Sequence, residues 1–166
     1  GMISEPIPAC TSIGHVHLKV ADLQRAIDFY CGVLGFEVTQ RVQNSAAFLS
    51  AGGYHHHIGL NTWESDGGSP PPTGATGLYH VAIRYAYRSE LADALRRLYK
   101  AGVQLDGAAD HGVSEALYLR DPDNNGIELY WDRPEEDWPR NAEMELAMFT
   151  EPLDIRKLLD VTGDKE

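Results

Sequence analysis

The chain has 166 residues, 43% of them hydrophobic, and a formal net charge of −11. This length fits one domain, or two small modules that share a core. The acidic balance argues against nucleic acid and anionic membrane surfaces as partners, because both select basic patches. Two cysteines without metal-ligand spacing indicate no disulfide framework, and no apolar run approaches the roughly 20 residues that span a bilayer. We therefore expect a cytoplasmic protein.

The first half of the sequence predicts a strand, a helix and three further strands. Residues 13–20 alternate apolar and polar side chains, as a strand does. Asp22 stands where a helix N-cap belongs, residues 23–34 carry an apolar helical stripe, and Gly35 ends that helix. Three short apolar runs then predict strands at 36–42, 46–50 and 55–62.

The second half repeats this order. It predicts a strand at 77–85, a capped helix at 89–102 and strands at 103–108, 116–120 and 126–131. His15-Val-His-Leu-Lys corresponds to His80-Val-Ala-Ile-Arg. The turn at 121–126 lacks the spaced carboxylates of a calcium loop and is interpreted as a tight turn between strands.

The repeat predicts two βαβββ modules, at 12–63 and 78–133. Residues 64–77 are rich in Gly, Pro and Ser, as linkers are. A tail at 134–166 follows, with short helical patterns at 142–149 and 152–161.

Three potential metal ligands occupy related places in these modules. His15 and His80 stand at equivalent positions of the two first strands, and Glu128 lies in the last strand of the second module. Two histidines and one carboxylate form the facial triad of non-haem Fe(II) sites. A single strand histidine is more often structural, so the evidence lies in the repeat-equivalent placement. If the modules pair about a pseudo-twofold axis, the inward side chains converge on one cavity.

Three stretches resemble the vicinal-oxygen-chelate superfamily, which comprises glyoxalases, bleomycin-resistance proteins and extradiol dioxygenases. They are GHVHLKVADLQRAIDFYCGVLGF, YHVAIRY and DHGVSEALYLRDPDNNGIELYWDRP. The last is most similar to catechol 2,3-type extradiol ring-cleaving dioxygenases, and the resemblance covers roughly residues 12–133. It implies an α+β fold in which two paired βαβββ modules form a curved mixed sheet around a metal site.

The resemblance also implies site residues and partners. His15, His80 and Glu128 match the iron ligands, with Mn(II) accepting the same ligand set. The implied substrates are a small aromatic diol and O2, and a homo-oligomer, a dimer, is expected.

Three further residues match catalytic positions of the family. His56 matches the histidine beside bound oxygen, and His111 and Tyr118 match residues that orient the substrate. His55 and His57 flank His56 in the predicted strand, so we expect them to point to the opposite face, exposed or hydrogen-bonded to a neighbouring strand.

Two other functions within the superfamily are weighed against the dioxygenase. A glyoxalase-like lyase or thiol transferase uses a fourth protein ligand, whose slot falls near Gly59, a residue without a side chain to donate. A register shift of one residue would bring His57 or Asn61 there instead. A metal-free antibiotic-binding protein needs no inward triad.

Overall fold

Nine strands, three α-helices, one π-helical segment and one 3-10 turn (Glu135–Asp137) make up the computed structural model, which describes residues 4–163. The end of the predicted tail, residues 164–166, lies outside the described residues. The strands of the first module are β1 (Val16–Lys19), β2 (Glu37–Val42), β3 (Ala46–Ser50) and β4 (Ile58–Asn61). Those that follow are β5 (Val81–Tyr85), β6 (Gly107–Asp110), β7 (Ser114–Arg120), β8 (Gly126–Asp132) and β9 (Glu151–Pro152).

The strands form two mixed sheets. The first sheet has the order β1-β4-β3-β2, and the second has the order β5-β8-β7-β6-β9. In each sheet the first strand pairs in parallel with the fourth, and the other pairs are antiparallel. The α+β class and the repeated βαβββ order are confirmed, while β1 and β5 each lie at a sheet edge.

The first helix begins and ends at the residues that its sequence predicts. The Asp22 side chain accepts a hydrogen bond from the Arg25 backbone N–H and caps α1 (Leu23–Ile27). The helix continues as a π-helical segment, Asp28–Val33, and Gly35 ends it with a φ of 93°. A side chain at Gly35 would also collide with the Arg97 guanidinium. The equivalent helix of the second module is α2 (Arg88–Lys100). Its N-terminus is capped by the Glu90 side chain, which accepts a hydrogen bond from the Tyr87 N–H.

One hydrophobic core joins the two modules. It takes buried side chains from β1 and β3, from both helices and from β7 and β8; examples are Leu18, Leu49, Ile27, Leu95, Leu117 and Leu129. The turn after β7 ties the modules together at the edge of this core. There the buried Tyr30 hydroxyl donates to the Asp121 carboxylate at 2.7 Å, and Asp123 accepts from the Ala21 N–H and the Arg25 guanidinium.

Three predicted elements differ from the structure. The strand predicted at 55–62 is shorter (β4), and the one predicted at 103–108 is shifted to β6, because backbone pairing with β7 decides which residues extend the sheet. Residues 142–149 form no helix, since the Asn141 side chain accepts from two backbone N–H groups and Met144 has a φ of 65°. The second tail pattern does form α3 (Ile155–Leu159). Among residues 4–163 no helix is long and apolar enough to cross a membrane.

Candidate metal centre and active-site residues

Two predicted metal ligands lie together on the second sheet. Val81 pairs with Ile127 and Ala82 with Glu128, so His80, directly before β5, stands beside Gly126 on the same face as Glu128. A side chain at Gly126 would approach His80 Cβ to 3.0 Å, which shows how close the two backbones are. Both side chains are half-buried on the face turned away from the core, and Glu128 is flanked by Ala82 and Tyr118.

Tyr118 links this pair to His111. Its hydroxyl lies 2.6 Å from His111 Nε2, and Tyr118 pairs with Glu128 in the register of β7 and β8. The His80 ring centroid lies 6.0 Å from that of Tyr118. Burial, together with the neighbouring Glu128 carboxylate, raises the pKa of Tyr118 well above its usual value. The phenol therefore stays protonated at neutral pH, as a proton donor or relay.

The chain's tail holds the His111 side chain in place. His111 Nδ1 lies 3.1 Å from the Phe149 carbonyl and 3.2 Å from the Thr150 hydroxyl. If Nδ1 carries the proton, it donates to the Phe149 carbonyl and Nε2 accepts from Tyr118; in the other tautomer Nε2 donates to the Tyr118 hydroxyl. Gly112 follows with a φ of 79°, and a side chain there would collide with Pro139 and Phe149. The tail thus packs against the loop that carries His111.

The third predicted ligand, His15, lies on the first sheet. It precedes β1, is exposed, and its ring centroid is 4.3 Å from that of His56. The His56 ring also packs edge-on against Phe48 of β3 at 5.0 Å. Burial and then the nearby His15 and His55 rings lower the pKa of His56. His56 is therefore largely neutral at pH 7 and able to accept a proton.

The three consecutive histidines lie in a loop before β4, and not in a strand as predicted. His55 and His56 consequently point to the same side, with their Nδ1 atoms 2.8 Å apart. The expectation that His55 points away from His56 is therefore wrong. His57 does point elsewhere: its Nδ1 lies 3.4 Å from the Ser50 hydroxyl and accepts a hydrogen bond from the Ala51 N–H. Of the two alternatives predicted for His57, exposure or a hydrogen bond to a neighbouring strand, the structure shows the hydrogen bond.

Sequence reasoning missed His17. Its ring lies over Gly59, where a Cβ atom would approach the ring to 2.6 Å, and its Nε2 accepts from the Asn61 amide at 2.8 Å. Burial and the nearby His15 lower the pKa of His17. The signal was present, because residues i and i+2 of a strand share a face, so His15 and His17 had to point the same way. His17, Asn61, Phe48 and the exposed Trp63 thus form one aromatic and polar surface beside His15 and His56.

One chain does not gather the predicted triad. Residues 4–163 contain no group of three or more His, Cys, Asp or Glu side chains placed to hold a metal ion. His80 and Glu128 are neighbours on the second sheet, whereas His15 stands with His56 on the first. A cavity of about 600 Å³ lies between the two edge strands and is lined by His15, Val16 and all of β5.

With this geometry in view, the comparisons with known proteins identify the family. Residues 12–129 match the model of the Glyoxalase/Bleomycin resistance protein/Dioxygenase superfamily. The chain belongs to this superfamily. It is 42% identical over 156 residues to a catechol-2,3-dioxygenase of Bacillus subtilis, covering 93% of this chain and 53% of that protein. It is 35% identical over 129 residues to biphenyl-2,3-diol 1,2-dioxygenase 3 of Rhodococcus globerulus, covering 75% of this chain and 66% of that protein.

Solved structures show the same fold. The crystal structure of a lactoylglutathione lyase from Agrobacterium tumefaciens superposes with a TM-score of 0.58, covering 75% of this chain and 96% of that one, at 20% identity. This likeness concerns the fold alone. The chain spans about half the length of the Bacillus relative, so that protein's full activity is not transferred by similarity.

Proposed function

We propose that this protein is an extradiol-type dioxygenase that opens the ring of a small aromatic diol and incorporates both atoms of O2. The observation that carries the proposal is the 42% identity to a catechol-2,3-dioxygenase, which extends over 93% of the chain. We further propose that Fe(II) is the cofactor, with Mn(II) accepting the same ligands, and that the protein acts in the cytoplasm as a dimer.

His15, His80 and Glu128 are residue types that bind Fe(II), but within one chain the three side chains do not lie together. Two imidazoles and a carboxylate are the donors of the Fe(II) facial triad, and His80 and Glu128 already stand together. The third donor, His15, lies on the other sheet, and the described residues of a single chain hold no three-donor group.

The chain's own residues can nevertheless hold and move protons. The 2.6 Å hydrogen bond between the Tyr118 hydroxyl and His111 Nε2 lets these two side chains share a proton beside the Glu128 carboxylate. We propose that Tyr118 and His111 orient the diol. His56, whose lowered pKa keeps it neutral at pH 7, is the proposed general base and acid beside His15.

The lyase alternative is disfavoured by Gly59. In the second sheet the equivalent position is Glu128, since Gly59 faces His17 as Glu128 faces Ala82. The His17 ring fills the space that a fourth ligand at this position would need.

Oxygen uptake tests the proposal. The protein is loaded with Fe(II) under anaerobic conditions and given a panel of catechols, while an oxygen electrode and the absorbance of ring-opened product are followed. We expect uptake with formation of the yellow product. If the protein binds iron and no catechol consumes oxygen, the dioxygenase proposal fails, and a parallel assay with a hemithioacetal substrate then tests the lyase.

A further inference from the structure

An oriented pair of side chains, His17 and Asn61, stands beside His15 and has no part in the proposed function so far. The two are joined by a hydrogen bond of 2.8 Å on the first sheet. We infer that His17 is a hydrogen-bond donor to an acceptor oxygen of the aromatic diol, and that Asn61 is the positioning residue that keeps the His17 proton on Nδ1. This inference rests on the proposed function, because it concerns the same substrate.

The Asn61 side-chain amide is held in one orientation. Asn61 ends β4 and is 7% exposed, so its polar atoms need partners within the protein. Its Oδ1 accepts a hydrogen bond from the Trp63 backbone N–H at 3.1 Å, and a backbone N–H can only donate. The amide Nδ2 is therefore the atom that faces the His17 ring. Turning the amide over would leave the Trp63 N–H facing another donor, which is unfavourable.

This orientation decides which nitrogen of His17 carries the proton. An amide Nδ2 donates and does not accept, so His17 Nε2 has to accept and is unprotonated. The proton of the neutral ring is then on Nδ1. Among residues 4–163, Nδ1 has no hydrogen-bond partner, and the side chain is exposed. His17 thus presents an unused N–H to a ligand. Neither of its nitrogens keeps a lone pair for a metal ion, which separates its role from that of His15.

The N–H of His17 lies at one end of a row of rings. The ring centroid of His17 is 6.0 Å from that of Phe48, Phe48 is 5.0 Å from His56, and His56 is 4.3 Å from His15. Trp63, 62% exposed, has its ring centroid 5.7 Å from that of His17. Aromatic rings pack well against a flat aromatic guest, and a single polar contact then fixes the orientation of that guest.

His15 and His17 are close enough for one small diol to touch both. Residues i and i+2 of a strand are about 7 Å apart and point to the same face. The His17 ring lies over Gly59, where a Cβ atom would come within 2.6 Å of Nδ1, so the glycine leaves the space that this ring occupies. The second sheet has Ala82 and Tyr130 at the positions of His17 and Asn61. The oriented donor is therefore a feature of the first sheet.

NMR of the metal-free protein tests the part of the inference that concerns Asn61. In protein labelled with 15N in its histidines, the shifts of the two ring nitrogens show which one is protonated, and the His17 signals are those that His17→Phe lacks. Above neutral pH we expect the Nδ1–H form in the wild type. In Asn61→Leu the amide donor is absent, and the proton should move in part to Nε2. A wild-type His17 protonated on Nε2 would overturn the inference.

Anaerobic binding of catechol tests the part that concerns the substrate. The Fe(II)-loaded protein is titrated with catechol in a calorimeter, and the iron content of each variant is measured. His17→Phe keeps a flat ring over Gly59 and loses the N–H, so the Kd should rise about tenfold, the upper range for one neutral hydrogen bond. His17→Asn and His17→Gln are a matched pair, because the Asn amide reaches the place of Nδ1 and the Gln amide that of Nε2. His17→Asn should restore most of the binding, and His17→Gln should resemble His17→Phe.

A role in packing alone predicts the opposite order, since Phe fills the space over Gly59 best and Asn fills it least. A wild-type Kd in His17→Phe, or equal Kd values for His17→Asn and His17→Gln, would therefore overturn the inference. If the wild type binds no catechol and consumes no oxygen with any diol of the panel, the proposed function fails and this inference falls with it. In the other cases the wild type remains active, so the two failures are distinguishable.

Discussion

β1 pairs with β4 in the same register as β5 pairs with β8, but at one equivalent position the two sheets carry different side chains. In the second sheet the small Ala82 of β5 faces Glu128 of β8. In the first sheet the relation is reversed, because His17 of β1 faces Gly59 of β4. Each pair fills a similar space with one large and one minimal residue. An internal repeat can therefore preserve local volume while moving the larger polar side chain from the fourth strand to the first.

The helices differ in a related way. The first helix, Leu23–Val33 including its π-helical segment, has 11 residues, and α2 has 13. The first helix changes to π-helical winding at Asp28–Val33, whereas α2 is α-helical throughout. This segment also carries Tyr30, whose hydroxyl reaches Asp121 of the other module.

The largest expected effect comes from removing the Glu128 carboxylate, whose counterpart in the first sheet is Gly59. Glu128→Ala should lose most of the bound iron, because the proposed donor set is left with two imidazoles. Metal analysis after anaerobic loading measures this loss. Glu64→Ala, which removes an exposed carboxylate outside the site, is the control and should keep its iron. Wild-type iron content in Glu128→Ala would remove Glu128 from the ligand set.

The second-largest expected effect concerns His56, which lies beside His15 in the first module. His56→Phe should keep iron and bind the diol but slow oxygen uptake by roughly 10²-fold, the scale of a positioned acid–base group. Tyr99→Phe, at an exposed aromatic residue of α2 outside the site, is the control. Similar rates in His56→Phe and the wild type would show that His56 is not the acid–base group.

Placing the residue pair of the second sheet in the first sheet tests whether the two pairs fill the same space. Gly59→Glu alone should lower the free energy of unfolding by about 1–3 kcal/mol, because the new Cβ meets the His17 ring at 2.6 Å. Adding His17→Ala reproduces the Ala82–Glu128 pair and should restore most of the loss. Urea unfolding measures both variants. If the second change restores nothing, the His17 ring is not what excludes a side chain at Gly59.

Tyr30→Phe tests the contact between modules. It should destabilise the protein by about 1–3 kcal/mol, because the buried Asp121 carboxylate loses a hydrogen-bond donor. Tyr99→Phe in α2 is the matched control, as Tyr99 is 56% exposed. Equal free energies of unfolding for the two variants would mean that the Tyr30 hydroxyl contributes little to joining the modules.

Structural features that depend only on residues close together in the sequence were predicted correctly. The Asp22 cap, the apolar stripe of the first helix and the ending at Gly35 are local signals, and they placed that helix correctly. The start of β4 was wrong because strand length depends on pairing with β3, and before Ile58 the chain turns into a loop. The residue types of the site followed from the repeat and the family resemblance. The separation of His15 from His80 and Glu128 within the described residues did not follow, since it depends on how distant segments pack.

The smallest expected effect concerns the ion pairs that surround the His111 loop. Arg133 makes a two-pronged contact with Asp110 at 2.8 and 2.9 Å, and this contact holds the pKa of Asp110 below its usual 3.8. The corresponding hairpin of the first sheet, residues 37–50, has no ion pair within the described part of the chain.

A carboxyl whose pKa is lowered by folding stabilises the folded state above its unfolded pKa, and this contribution disappears as the pH falls through the folded value. Asp110→Asn should therefore be less stable than the wild type at pH 7, and the difference should shrink below about pH 4, where the wild type loses the same contribution. Urea unfolding between pH 3 and pH 7 measures the two slopes, with Asp106→Asn, an exposed carboxylate paired with Arg120, as the control. A difference between Asp110→Asn and the wild type that stays constant with pH would mean that the Asn side chain perturbs the His111 loop by its shape. In that case the ion pair would not be what distinguishes this hairpin from its counterpart in the first sheet.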